Sequence, residues 1–276
     1  MYWILYLIPK KLLSRLVGFL VHRRLPGPLK GPLLRWFANR YRIDLSEAES
    51  PLNSYPSIGE LFIRRLKPGL RPVGSTSVVH PADSVITQAG HLREGLLIQA
   101  KGITYKLEEF LGPIEAKSYL GGEFATYYLC PTDYHRVHSP VSGVIRRVAH
   151  LPGALWPVNE WSTTNIPNLF SVNERVIVEI ETKTGPVAVV FVGATNVGQI
   201  SLSFWPEFRS LSLRENRVWT REFTNQTIQK GEELGIFHMG STIVLCLSPS
   251  AVPENWPALP VGKHVRVNAS FPEAHR

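Results

Sequence analysis

The sequence predicts an α+β fold, with a β-rich sandwich or barrel-like core behind an N-terminal amphipathic helical arm. Three observations carry this reading. Residues 1–43 hold nine Lys or Arg and no Asp or Glu, mixed with apolar and aromatic side chains. From about residue 78 onward, short apolar or alternating runs are divided by Gly and Pro, the texture of strands in a sandwich or barrel. No repeat, low-complexity stretch or linker divides the 276 residues, so residues 44–276 read as one domain.

The arm comes first in chain order. Residues 1–8 are apolar and aromatic, and Pro9-Lys10-Lys11 interrupts them. Residues 12–21 place Leu13, Leu16, Val17 and Leu20 at helical spacing, with Ser14, Arg15, Gly18 and His22 filling much of the other side. A second aromatic and basic stretch, residues 33–41, follows after Pro26, Pro28 and Pro32. Neither run reaches the roughly 18 apolar residues of a membrane-spanning helix. The charges follow the first apolar run, and no small-residue cleavage site is evident, so a signal peptide fits poorly. Interfacial helices on an anionic membrane surface fit better, with Lys and Arg at phosphates and Trp and Tyr at headgroup level. The alternative is an amphipathic helix packed on the protein's own core. The net charge of +8 belongs to the arm, because the other 21 basic residues face all 22 acidic ones. A nucleic-acid partner is therefore not expected.

In the body, Ser57 and Glu60 have capping-box spacing and predict a short helix through residues 61–66, closed by Pro68-Gly69. Strands are expected at 85–87, 96–99, 124–130, 143–145, 176–180, 187–192 and 243–247, with a helix at 107–111. Cys130 and Cys246 both lie in apolar runs and read as free, buried thiols.

Three short motifs could carry chemistry. His80-Pro81-Ala82-Asp83-Ser84 places an acid in a tight turn before a strand. Asp133-Tyr134-His135-Arg136-Val137-His138 sets two histidines three apart. A metal site is disfavoured there, since no ligand set completes it and Arg136 is adjacent. The third is Gly240-Ser241-Thr242 at the mouth of an apolar strand, where a hydroxyl stands one residue from an unhindered glycine carbonyl. Together they offer an acid, an imidazole and a serine, the parts of an activated hydroxyl. No Gly-x-Ser-x-Gly elbow surrounds Ser241, so an ordinary serine hydrolase is disfavoured. A non-catalytic membrane-surface protein is the other competing class.

Over nearly its whole length the chain resembles the membrane-associated, proenzyme type of phosphatidylserine decarboxylase. The resemblance runs through the basic arm, Phe62-Ile63-Arg64-Arg65-Leu66-Lys67-Pro68, Pro81-Ala82-Asp83 and Gln99-Ala100-Lys101-Gly102. It continues through the stretch Tyr128 to His138, Asn173-Glu174-Arg175-Val176, residues 192–198, Lys230-Gly231-Glu232-Glu233-Leu234-Gly235 and Gly240-Ser241-Thr242.

The resemblance implies that Ser241 attacks the Gly240 carbonyl. The chain then splits into 1–240 and 241–276, and Ser241 becomes a pyruvoyl group. Asp83 and His138 would activate Ser241. The pyruvoyl carbonyl would take the serine amine of phosphatidylserine as a Schiff base and act as electron sink while CO₂ leaves. His135 matches the family histidine implicated in that second phase. The resemblance further implies phosphatidylethanolamine as product, no metal, a homodimer of processed pairs, and a peripheral place on the cytoplasmic face of the cell membrane. Two positions depart from the family's pattern. Met239 replaces Leu with similar volume. Ser84 replaces Gly, and a positive φ there would strain a serine and shift Asp83.

Overall fold

The computed structural model describes residues 10–100, 103–195, 199–210, 217–238, 240, 242–254, 256 and 258–271. Ser241, Met239, the apolar stretch before residue 10 and the motif positions 101–102 and 196–198 lie outside the described residues. The architecture is the expected α+β type. In chain order the strands are β1 (Ser84–His91), β2 (Leu96–Ala100), β3 (Ile103–Lys106), β4 (Glu123–Tyr128), β5 (Arg136–His138), β6 (Gly143–Leu151) and β7 (Arg175–Glu181). They continue with β8 (Pro186–Val192), β9 (Ile200–Leu202), β10 (Trp205–Arg209), β11 (Trp219–Ile228), β12 (Glu233–Phe237), β13 (Thr242–Leu247) and β14 (His264–Val265).

An eight-stranded sheet runs β11-β6-β7-β8-β13-β4-β1-β14, and a four-stranded sheet runs β10-β9-β12-β5. β2 and β3 form a separate hairpin. The runs without polar interruption became the strands buried on both faces: all of β13 is buried, and β8 is buried from Val187 onward. β13 pairs antiparallel with β4 on one side and β8 on the other, along its whole length. Strand β11 gave no apolar signal because it is the sheet edge; Thr220, Arg221 and Glu222 face solvent. Cys130 and Cys246 are free, and burial pushes the Cys130 thiol up to about 11.

The N-terminal helices are α1 (Lys10–His22) and α2 (Gly27–Arg40), followed by α3 (Ile58–Phe62). The second of these is longer than the expected 33–41. Pro28 sits in its first turn, where the missing N–H costs nothing, and Pro32 is accommodated inside it. Leu34, Phe37 and Ala38 of α2 pack against Leu61 and Phe62 of α3 in a small second core. The outward side differs: Leu16, Phe19, Leu20, Leu29 and Trp36 are each more than half exposed. Arg23 lies over the Phe19 ring at 4.4 Å. No helix among the described residues is long and apolar enough to cross a membrane.

The helix expected at 61–66 starts at Ile58 instead and ends four residues early. Ser57 caps it by accepting the Glu60 N–H at 3.2 Å. Arg64 then leaves the helix, because its guanidinium donates to the Thr132 and Asp133 carbonyls at 3.1 and 3.5 Å. Leu66 bridges to Ala48. The remaining short helices are α4 (Leu107–Leu111), α5 (Glu160–Asn165) and α6 (Leu169–Val172).

Leu245 stands in β13 opposite Ala125 and Val189 and is fully buried. Leu245→Ala is expected to lower stability by about 2–5 kcal/mol, read as a fall in the urea midpoint. A shift under about 0.5 kcal/mol would contradict the central place of this strand.

Candidate active site

The turn before β1 carries Asp83, which is buried. Its carboxylate accepts Arg71 Nε at 3.1 and 3.2 Å, Arg71 Nη2 at 2.7 Å and the Val267 N–H at 2.8 Å. Arg71 also donates from Nη1 and Nη2 to Glu47, at 3.2 and 2.7 Å. One guanidinium therefore forks between two carboxylates, the strongest charge-assisted geometry available to it. Removing it would leave the buried Asp83 carboxylate with only the Val267 N–H, a loss of about 3–5 kcal/mol in comparable cases.

Ser84 does not have a positive φ. Its hydroxyl donates to the Ala82 carbonyl at 3.1 Å, and its backbone pairs with Val265 in β14. The Ser-for-Gly departure therefore introduces no backbone strain at this turn.

His138 ends β5, and its N–H donates to the Pro81 carbonyl at 2.8 Å, which ties this strand to the Asp83 turn. His138 Nδ1 donates to the Gly231 carbonyl at 2.8 Å. That fixes the tautomer and leaves Nε2 as the acceptor, which the Tyr134 hydroxyl occupies at 3.1 Å. Burial holds the His138 ring below its ordinary value, while the Asp83 charge pulls the other way. No hydrogen bond joins Asp83 to His138; they interact through charge.

His135 is wholly buried, and its Nδ1 donates to the Asp133 carbonyl at 2.8 Å. The Phe62 ring lies 3.9 Å away, centroid to centroid. Nε2 is left as a buried acceptor without a partner among the described residues. A Cβ placed on Gly240 would lie 3.4 Å from that nitrogen. Asp133 shapes the turn beneath: its carboxylate accepts the Cys130 N–H at 2.7 Å and His264 Nε2 at 2.9 Å.

Of the expected site residues, the structure brings His135 and Gly240 together, and Asp83 close to His138. β5 and β12 pair with His138 opposite Glu233, and the Phe237 N–H reaches the His135 carbonyl. His135 thus lies at the Gly240 end of this ladder and His138 three residues farther along it, roughly 10 Å at strand rise. Ser241 itself lies outside the described residues. Arg71, Glu47 and the Tyr134–His138 bond were not anticipated. Tyr134 did stand inside the singled-out motif.

Two cavities meet at this place. One of about 210 Å³ reaches Gly240 and is walled by Phe37 of α2, Tyr41 just past its end, Phe62, Tyr128 and Leu129. The other, about 510 Å³, is lined by Gln88, Gln99, Thr164 and Thr242. Tyr128, Val158 and Asn159 belong to both walls.

A family model described as phosphatidylserine decarboxylase matches residues 58–271, and a second, described as PSD, matches residues 2–42. The chain is 41% identical over 252 residues to the phosphatidylserine decarboxylase proenzyme of Myxococcus xanthus (strain DK1622), covering 90% of this chain and 89% of the relative. It is 42% identical over 267 residues to the proenzyme of the same name from Anaeromyxobacter sp. (strain K), covering 95% and 94%.

Burial drives His80, His135 and His238 down to about 4, about 3 and about 4. An unfolded imidazole titrates near 6.5. Each ring therefore contributes stability that is complete above about pH 6.5 and is lost as the pH falls toward the folded value. His135→Gln is expected to lose less stability than the parent between about pH 6.5 and 4.5, by urea midpoints. Equal slopes would contradict a buried, neutral His135.

Proposed function

This chain belongs to the phosphatidylserine decarboxylase family, and on that premise we propose that it cuts itself at Gly240-Ser241 and works through the new N-terminus. It is a decarboxylase of phospholipid synthesis, with phosphatidylserine as substrate. The observation that carries the self-processing reading is the buried Nε2 of His135, unpartnered among the described residues, beside Gly240 on the wall of a cavity.

In the cut, the Ser241 hydroxyl adds to the Gly240 carbonyl and the Gly240 C–N bond breaks, giving an ester and a free amine at residue 241. Loss of the residue-241 α-proton then expels the Gly240 carboxylate, which separates 1–240 from 241–276, and water replaces the amine of the resulting dehydroalanine as ammonia. His138 Nε2 takes the hydroxyl proton, displacing the Tyr134 hydroxyl that now bonds it. The nearby Asp83 charge, held in place by Arg71, favours the resulting imidazolium.

A pyruvoyl group made from Ser241 supplies an electrophilic carbonyl that accepts the substrate amine and draws off the electron pair left by CO₂. An unpartnered acceptor and open space next to Gly240 suit a small polar group there. The substrate's ammonium sheds its proton to solvent, and His135 Nε2, kept free of hydrogen by the Asp133 bond, accepts a hydrogen bond from the resulting amine. Phe62, Phe37 and Tyr41 exclude water on the side of the helices.

The arm, residues 1–43, addresses the enzyme to an anionic membrane surface, on the cytoplasmic face of the cell membrane. Its exposed Leu16, Phe19, Leu20, Leu29 and Trp36 support this, flanked by the exposed Arg23, Arg24, Arg35 and Arg40. The remaining chain, 44–276, is the catalytic domain, working as a homodimer of processed pairs.

The purified chain is expected to give two masses, for 1–240 and for 241–276 with a blocked N-terminus. They should separate only in denaturant, since β13 is bonded on both sides. Ser241→Ala should remain whole and inactive. A parent chain that stays in one piece while releasing CO₂ from phosphatidylserine overturns the reading. For the arm, Leu16→Gln, Phe19→Gln and Leu20→Gln together should weaken binding to anionic vesicles about tenfold or more. Unchanged flotation with such vesicles would refute its membrane role.

A further inference from the structure

The N-terminal helices reach the segment leading into Gly240 at a point outside both cavities. His22, the last residue of α1, donates from Nδ1 to the Gly18 carbonyl one turn back, at 2.8 Å. Its Nε2 is then an acceptor, buried and without a partner. The ring lies over Gly59 of α3, where a Cβ would come within 2.7 Å of Cδ2 and Nε2. Only glycine leaves room for it. The same ring meets that of His238, with centroids 5.6 Å apart and planes at 48°.

His238 stands two residues before Gly240. Its N–H donates to the Gln199 carbonyl, its Nε2 bonds the Ser201 hydroxyl at 3.0 Å, and its Nδ1 is buried without a partner among the described residues. The second helix arrives from another side. Phe37 meets Phe62 at 6.5 Å, and Phe62 meets His135. Of the helices whose outer side is apolar and exposed, α1 thus touches the strand end before Gly240, and α2 reaches His135 through Phe62 of α3.

We propose that the His22–His238 contact is a latch through which the seated N-terminal helices hold the segment leading into Gly240 against His135. His22 is then a positioning residue of the reaction centre, and the arm is part of that centre as well as its tether. The latch requires neutral rings. The charged groups bearing on His238 are His22 from α1, Arg136 from β5 and Arg209 from β10, all cationic or able to become so. A proton on His238 meets like charge and loses its water. Since burial and these neighbours bring His238 down to about 4, seating is complete above about pH 6.5 and weakens as the pH falls below it. The inference rests on the proposed self-processing only for what the held segment does.

Hydrogen exchange of the full chain tests it, read separately over residues 14–22 and 234–238, for the parent, His22→Ala, Gly59→Ala and the double variant. Gly59→Ala evicts the ring while leaving every outward-facing side chain of the helices unchanged. Each single variant should speed exchange in both segments about fivefold or more, and the double variant no further. The parent should approach the same state as the pH is lowered from about 7 to 5, after correction for intrinsic rates.

Fragment 241–276 should appear more slowly in the variants, in proportion. Variants that loosen 14–22 but leave 234–238 and the cut rate unchanged overturn the latch, as do variants that change neither. If a variant also loosens β13, His22→Phe decides. Protection of 234–238 restored near neutral pH without acid sensitivity supports the latch, and failure to restore it overturns it. A parent that is never cut, yet shows the coupled exchange, refutes self-processing and leaves the latch standing.

Discussion

The structure depends on how strand β13 is held. It is hydrogen-bonded on both sides, to β4 and β8, and every residue from Thr242 to Leu247 is buried. The bond at Gly240-Ser241 stands immediately before this strand. The downstream side of that bond is fixed by pairing on both edges, so the 241–276 fragment keeps its place through the ladder after a cut. The upstream side is anchored by the Phe237 and His238 N–H groups, which donate to the His135 and Gln199 carbonyls. The close approach is general along this strand's surroundings. Gly122 has no room for a Cβ against the Leu247 carbonyl, so even the far end of β13 is pinned against its neighbour.

Around that bond the charges are arranged to keep imidazoles neutral. His135, His138 and His238 are all lowered by burial, and cations stand near each of them: Arg64 by His135, Arg136 by His138, and Arg136 and Arg209 by His238. The carboxylates nearby are each engaged by a cation or a turn, although the Glu233 and Asp83 charges still raise His138 against its burial. Asp83 and Glu47 share Arg71, Glu233 pairs with Arg136 at 2.8 Å, and Asp133 holds His264 and the turn below His135. Neutral rings with a defined tautomer are proton acceptors, and both steps of the proposed chemistry begin by removing a proton.

Much of this was legible in the sequence, for local reasons. Strands buried on both faces are unbroken apolar runs, so β8 and β13 could be placed from composition alone, and β7 from its apolar stretch Val176–Val178. The Ser57 cap announced α3, although not its early end, which a long-range bond from Arg64 decides. Edge strand β11 and the short strands β5, β9 and β10 were silent, because an exposed or three-residue strand has no pattern to read. In the site, Asp83, His135, His138 and Gly240 were visible through motifs. Arg71 reaching Asp83, Tyr134 capping His138 and His22 meeting His238 were not, because each is a choice of partner made by tertiary packing.

The central claim is that residue 241 becomes the atom pair on which the substrate's nitrogen is held. Incubating the enzyme with phosphatidylserine and a mild borohydride, then mapping the adduct by mass spectrometry, tests it most directly. The account predicts one substrate-derived adduct, at the N-terminal residue of the 241–276 fragment, and none in Ser241→Ala. An adduct on a lysine, or CO₂ release with no adduct at residue 241, would contradict it.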